Sequence, residues 1–430
     1  MTLTLKHLKQ QVFFLAALLV ASSAAFSQDD CSVVGQNSFV RAVLDEYYLW
    51  YRELPVASPA LYDSPEEYLD AVRFWPIDKS FSYIASAQAT TAFYSNSQFI
   101  GIGFGSRLLS PEEYRIAQVF PNSPASDAGL ARGDYLLAVN GRPVPELIAS
   151  GELNAELGPS EIGYTVELTW RSLKGRESSA VVKKRPVTIP TVSQTAIFNV
   201  NGLPVGYVHF RNFVEPSIAA LNATFAELRR EGVVDLILDL RYNGGGLVSV
   251  AQHLASLIGG IRTSARIFVD YMHNDKQTAR NQQVRFDNPP EAISTPRVVI
   301  ITSRSSASSS ELVINGLKPL IPVTLVGRRT FGKPVGQYGF EFCEKIFFPV
   351  SFHSVNSVGE GEYYDGFPVD CSVRDGLNKP LANPEEASLA EALYYLRNAA
   401  CSPDAAQRLE TTDRGRLVEH TGFGQIINAR

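Results

Sequence analysis

Apolar residues recur at three- and four-residue intervals between residues 32 and about 95, as in Val43-Leu44-Asp45-Glu46-Tyr47-Tyr48-Leu49-Trp50-Tyr51, and predict a helical subdomain over 28–95. Ser64-Pro65-Glu66-Glu67 supplies an N-cap, a first-turn proline and acidic first-turn residues for a second helix ending at Val72. From 96 to 190 the pattern changes to short strands broken by Gly, Pro and Asn. Residues 116–120 and 135–139 are predicted strands, 123–129 a short glycine-stopped helix, and Asn140-Gly141 a two-residue hairpin turn. From 191 to 400 apolar strands at 205–210, 234–240, 297–302 and 323–327 alternate with helices at 217–230, 247–258 and 309–317. Such alternation predicts crossover units on a largely parallel sheet, giving a multidomain α/β chain. The polar end, 401–430, is expected to be a flexible tail.

The first residues read differently. Lys6, His7 and Lys9 precede an uncharged apolar run from 12 to 20, small residues and then Asp29-Asp30, so 1–27 is expected to be a secretory signal peptide. The run is shorter than the roughly 20 residues of a membrane span, and no stable span is expected. A length of 430 residues with 45% hydrophobic and 19% charged residues suits two or three folded domains. The net charge of −5 disfavours a nucleic-acid partner. Cys31, Cys343, Cys371 and Cys401 form an even set, which in an exported protein suggests disulfides. Of three pairings the preferred one joins Cys343 to Cys371. Six scattered histidines without an HExxH pair give no metal site, and no cofactor is expected.

In an open α/β sheet the reactive groups gather beyond the carboxyl ends of the strands. Three segments should meet there: Asp239-Leu240-Arg241-Tyr242-Asn243-Gly244-Gly245-Gly246, the serine-rich stretch 303–311, and Arg328-Arg329-Thr330-Phe331-Gly332-Lys333. Ser308-x-x-Glu311 is a capping box, which accounts for one serine of the cluster but not for four. A hydroxyl at a helix start also lies beside unpaired N–H groups and the positive end of the dipole. Lys333, between Phe331 and Val335, could act as a neutral base if burial, helped by Arg328 and Arg329, lowers its pKa; otherwise it is an ordinary turn lysine. Gly327-x-x-x-x-Gly332-Lys333 imitates a phosphate-binding loop, but Pro334 stands where a magnesium-holding hydroxyl is needed, and the nucleotide reading is rejected.

Gly101-Ile102-Gly103-Phe104, followed by Pro124-Ala125, Ala128-Gly129-Leu130 and Gly133-Asp134, resembles a PDZ domain of the bacterial protease type. With Asp-Leu-Arg-x-Asn-x-Gly-Gly, Ser-Ala-Ser-x-Ser-Glu and Thr-Phe-Gly-Lys-x-x-x-Gln in that order, the chain resembles the carboxyl-terminal processing (tail-specific) peptidases from about 97 to 395. The resemblance implies a ClpP/crotonase-like α/β peptidase core at 191–400, an inserted PDZ-like domain at 96–190, and a serine/lysine endopeptidase. It implies Ser308 as nucleophile, Lys333 as general base and Gln337 as the residue orienting it. Ser309 N–H with Gly244 or Gly245 would form the oxyanion hole, and Gly101, Ile102, Gly103 and Phe104 would bind a peptide carboxylate. Partners would be proteins with exposed C-termini; a homo-oligomer or an activating partner stays open. Pro334 replaces the usual glycine, Ser309 the usual alanine, and Pro319 an acidic residue of some relatives. Ser306 and Ser309 remain alternative hydroxyls, and His209 an alternative base. The competing reading is an inactive relative that binds peptide tails or lipophilic ligands.

Overall fold

The strands Asp235–Asp239 and Val298–Thr302 are buried at every position, as expected of apolar runs covered on both faces. They are the middle of a six-stranded sheet in the computed structural model, which describes residues 30–408. The order is Val192–Val200, Leu203–Phe210, Asp235–Asp239, Val298–Thr302, Val323–Gly327, Cys371–Ser372. The first pair is antiparallel and every later pair parallel. Side chains alternate between faces. Leu236, Leu238 and Ile300 pack under the helices Ser217–Arg230, Val248–Gly259 and Ser309–Leu317, while Ile237, Val299 and Ile301 pack under Ala387–Asn398. The expected signal peptide and the tail beyond 408 lie outside the described residues. The stretch 403–408, expected to be tail, is helical. Among the described residues no helix is long and apolar enough to cross a membrane.

The small β-rich part holds the antiparallel strands Phe104–Ser110, Glu113–Val119, Tyr135–Val139, Thr165–Arg171 and Glu177–Lys183. Asn140 and Gly141 both take positive φ, 47° and 78°, the requirement of a tight hairpin turn whose twist matches its strands. Near the N-terminus, helices Val33–Tyr47 and Pro65–Val72 pack together, the second capped by Ser64 Oγ, which accepts from Glu67 N–H at 3.1 Å. Their core residues Val40, Leu44, Tyr68 and Leu69 share one cluster with Phe342, Phe347 and Val350 from the far end of the chain. The helical subdomain therefore shares its core with the strands at 340–350 rather than packing on its own.

Two further sheets escape the apolar pattern because their strands are short and mixed in polarity. One is antiparallel, in the order Gln282–Arg285, Ile267–His273, Val350–Val355, Val335–Gln337. The other joins Tyr83–Ser86 to the hairpin Phe340–Phe342 and Lys345–Phe348. The expected Cys343–Cys371 pairing is wrong. Cys31 is bonded to Cys343, tying the first helix to that hairpin, and Cys371 to Cys401, tying the sheet's edge strand to the segment after the last helix.

Candidate active site

Ser308 heads the helix Ser309–Leu317 with φ 54° and ψ −115°. A non-glycine residue there carries roughly 1–3 kcal/mol of backbone strain, the kind of conformation that functional sites retain when their surroundings enforce it. The surroundings are the glycine turn. A Cβ on Gly245 (φ 105°) would come within 2.8 Å of Ser308 Cβ and 3.0 Å of Ser309 N, so only glycine lets this turn press against the helix start. Three serine hydroxyls lock the two loops together. Ser306 Oγ donates to Leu240 O at 2.7 Å, Ser309 Oγ to Gly246 O at 2.7 Å, and Ser310 Oγ to Asn243 O at 3.0 Å. Ser308 is the one serine of these four whose hydroxyl proton is not committed to a carbonyl of that turn.

The glycine turn is itself braced from below. Asn243 Nδ2 donates to Phe210 O, and Asn243 Oδ1 accepts from Gly245 N–H at 2.9 Å. The Gly245 N–H, expected to face an oxyanion, is thus spent on Asn243. Ser309 N–H, at the helix start, has no intrahelical acceptor, and Gly244 lies in the same turn. Arg241, fully buried, forms paired hydrogen bonds with Glu386 and Asp239. Removing either acid would leave a buried cation underpaired.

Glu311 joins this assembly to the lysine loop. Its carboxylate accepts from Ser308 N–H at 3.0 Å, Lys333 N–H at 2.8 Å, Gly332 N–H at 2.7 Å and Thr330 Oγ1 at 2.6 Å. Burial pushes its pKa up to about 7, against these four donors, which favour the ionised form. The capping box forms as expected, but sequence reasoning missed that the same carboxylate also collects three donors from 330–333.

Lys333 Nζ donates to Gln337 Oε1 at 2.6 Å and lies 5.9 Å from the ring centres of both Phe81 and Tyr83. Loss of water around the amine lowers its pKa to about 8, while Asp78 and Glu311 pull in the opposite direction. The expected help from Arg328 and Arg329 is not a cause of the shift. Gln337 cannot flip freely, because its Nε2 donates to Phe81 O at 2.6 Å and Phe348 O at 2.7 Å. Asp78 in turn holds the 78–82 turn, accepting from Phe81 N, Ser82 N and Tyr48 Oη. The positive φ of this loop falls on Gly332, at 103°, so Pro334 fits without strain. No hydrogen bond joins Ser308 to Lys333 in this conformation; the amine's bond goes to Gln337.

His209, the alternative base, is buried in its strand, bonded through Nδ1 to Ser193 and through Nε2 to Arg241 O. Burial pushes its pKa down to about 4, and it has no bond to any serine of the 303–310 loop. Of the segment Gly101–Phe104, Gly101 and Ile102 border an apolar groove of about 610 Å³, and Gly103 and Phe104 do not line it. Ile102 and Phe104 point into the domain core, and Gly103 takes φ 99° against Ser123. Leu157 and Lys184 form part of one wall, and Ala89 and Ala92 of the helix Ala87–Asn96 bring in the N-terminal subdomain, which sequence reasoning did not anticipate. The β-rich part touches the serine loop through Arg107, whose Nη1 donates to Ser305 Oγ at 3.2 Å. Arg132 binds Asp375 and Tyr242 at 2.9 and 2.7 Å.

Residues 204–360 match the model of peptidase family S41, residues 35–83 that of the peptidase S41 N-terminal domain, and residues 115–151 that of a PDZ domain. The chain is 30% identical over 226 residues to the chloroplastic C-terminal processing peptidase of Tetradesmus obliquus, covering 50% of this chain and 46% of that one. It is 25% identical over 294 residues to the carboxyl-terminal-processing protease of a Picosynechococcus species, covering 59% and 67%. The match spans about half the length of several such curated relatives. Among solved structures, a Bacteroides fragilis protein assigned to the S41 proteases aligns with TM-score 0.67 at 24% identity, covering 84% of this chain and 97% of that one. The photosystem II D1 C-terminal processing protease aligns with TM-score 0.51 at 22% identity, covering 80% and 93%. At these identities the two structures speak for the fold alone.

Proposed function

The chain belongs to peptidase family S41, and from that membership and the geometry around Ser308 we propose that it is an exported serine endopeptidase working through Ser308 and Lys333. The observation that carries this reading is the division of labour in the serine cluster. Ser306, Ser309 and Ser310 spend their hydroxyl protons on the glycine turn, and Ser308 is held, strained, at the helix start. Its backbone shares an acceptor with that of a lysine whose amine is neutral above about pH 8.

In the proposed cycle the neutral amine swings from Gln337 to Ser308 and takes the hydroxyl proton as the oxygen attacks the peptide carbonyl. The tetrahedral oxyanion is met by the N–H groups of Ser309 and Gly244, donors fixed before the charge develops. Lysine passes its proton to the departing amine; water, deprotonated by the same lysine, then attacks the acyl carbonyl, and the lysine returns that proton to Ser308 Oγ as the acyl bond breaks. The groove bordered by Gly101 and Ile102 holds a nonpolar C-terminal tail by adding it to the sheet edge. Contacts from Arg107 and Arg132 to the core offer a route by which that binding reaches the serine loop. Two disulfides support export to an oxidising compartment.

The test is hydrolysis of an unfolded protein by the parent and by Ser308→Ala and Lys333→Ala, with tail-peptide binding measured alongside. Loss of cleavage with retained binding is the expected result; cleavage at parental speed by both variants would overturn the assignment. The absence of a Ser308–Lys333 bond is what favours the second reading, a binding module without catalysis. A parent that binds tails but hydrolyses nothing would establish it.

A further inference from the structure

We propose that Arg304 and Arg329 form a carboxylate-binding subsite next to Ser308 and Lys333, selecting peptides with a carboxylate within a few residues of the scissile bond. The inference rests on the peptidase reading above and adds a substrate preference to it. Arg304 precedes Ser308 by four residues and Arg329 precedes Lys333 by four, so the loops that carry nucleophile and base each carry one of these cations. Both line a single recess of about 440 Å³ together with Phe331, Tyr364 and Asp365.

Each guanidinium is tethered but not consumed. Arg304 Nη1 donates to Thr330 O at 3.3 Å, and Arg329 Nη1 to Gly366 O at 3.1 Å. An arginine fork has five N–H donors, so most of each remains for a ligand. Several arginines of this chain are satisfied by acids, as Arg132 is by Asp375, Arg241 by Asp239 and Glu386, and Arg297 by Asp235. Arg304 and Arg329 have no such partner among the described residues, and Asp365, on the same recess, is not ion-paired with either. The chain as a whole is acidic, at −5, so this is not one sector of a generally basic surface.

The recess is also fixed to the reactive loops. Phe331 N–H donates to Ser306 O at 3.0 Å, and Gly332 lies so close to Tyr364 that a Cβ there would fall 2.1 Å from its carbonyl oxygen. Two planar cations lining one recess suit a planar anion. A C-terminal carboxylate and an Asp or Glu side chain both have that chemistry.

The experiment uses matched fluorogenic peptides and the intact protein. One pair differs by a free acid or an amide at the C-terminus, the other by Glu or Gln on the leaving side of an amidated peptide. The parent should cleave the carboxylate member of one pair about tenfold faster in kcat/KM, as a charge-assisted contact allows, and the pair concerned identifies the source. The preference should shrink with added salt and fall near parity in Arg304→Gln/Arg329→Gln, while Arg329→Glu should favour a Lys-bearing peptide over its Gln counterpart. No preference in the parent, or one that survives in the double variant, overturns the subsite. If the parent cleaves nothing, the peptidase reading has failed, and the same peptides are compared by fluorescence anisotropy on Ser308→Ala. A carboxylate preference there that disappears with both arginines sustains the subsite; equal binding of acid and amide overturns it.

Discussion

Ser308 and Lys333 suspend their backbone N–H groups from the same oxygen, Oε2 of Glu311, at 3.0 and 2.8 Å. The two backbones, 25 residues apart in the chain, can therefore be no farther from each other than these two bonds laid end to end. An amide in place of the carboxylate keeps one acceptor oxygen and turns an NH₂ toward N–H donors. Glu311→Gln is expected to lower kcat about 10²-fold by misplacing the loops and to cost about 1–3 kcal/mol for each donor left buried and unpaired. Circular dichroism melts and steady-state kinetics on the same preparation measure both. Parental kcat in a folded variant would refute the clamp.

The pH dependence follows from two groups that must both be deprotonated. Glu311 has its pKa raised to about 7 and accepts all four donors only when ionised; Lys333 has its pKa lowered to about 8 and acts as a base only when neutral. Activity must then rise with pH. Log kcat/KM is expected to climb with a slope approaching two below about pH 7, a slope of one up to about pH 8, and to level above it, the apparent values belonging to the coupled pair. Removing the carboxyl in Glu311→Gln should leave a single-slope limb in the residual activity. A profile that falls across this range would contradict a neutral amine as base.

Serine-directed chemistry separates the four hydroxyls. A fluorophosphonate probe should label Ser308 alone, as read by mass spectrometry of the modified peptide. Ser309→Ala loses the bond to Gly246 O and Ser306→Ala the bond to Leu240 O. Each of these variants should label more slowly, by roughly a factor of five, for a net loss of about 1 kcal/mol in holding the turn. Labelling that moves to Ser306 or Ser309 would reassign the nucleophile.

Much of this site could be read from the sequence, and the part that could not has a common physical origin. The helices Ser217–Arg230 and Ser309–Leu317 and the buried strand Val323–Gly327 fall where the apolar pattern puts them, because each packs one continuous face on the central sheet. Gln337, by contrast, is held by Phe81 O, 256 residues away, through strands of three or four residues that carry almost no periodic signal. Glu311 announces itself only as a capping residue, since a capping box is local while its other three donors come from 330–333. The cysteine pairing was misread for a related reason. Nothing local marks Cys31 as the partner of Cys343, because the hairpin bearing Cys343 folds back onto the first helix across a separation of 312 residues.

That long bridge makes the last prediction. Cys31–Cys343 fastens the helix Val33–Tyr47 to the hairpin whose Phe348 O holds Gln337, and Phe342 and Phe347 of the same hairpin pack into the core beneath that helix. Cys31→Ser/Cys343→Ser removes a cross-link closing a very long loop, and by chain entropy should cost roughly 2–5 kcal/mol. The hydrophobic contacts of Val40 and Leu44 remain, so the helix should stay docked at low temperature and release first on warming. Limited proteolysis near residues 48–60 should then precede global unfolding, and activity should fall with that cleavage because Gln337 loses a support. In the parent the same cuts should appear only with the main melt. Identical proteolysis and melting curves for both proteins would show that the bridge merely decorates a contact already secured by packing.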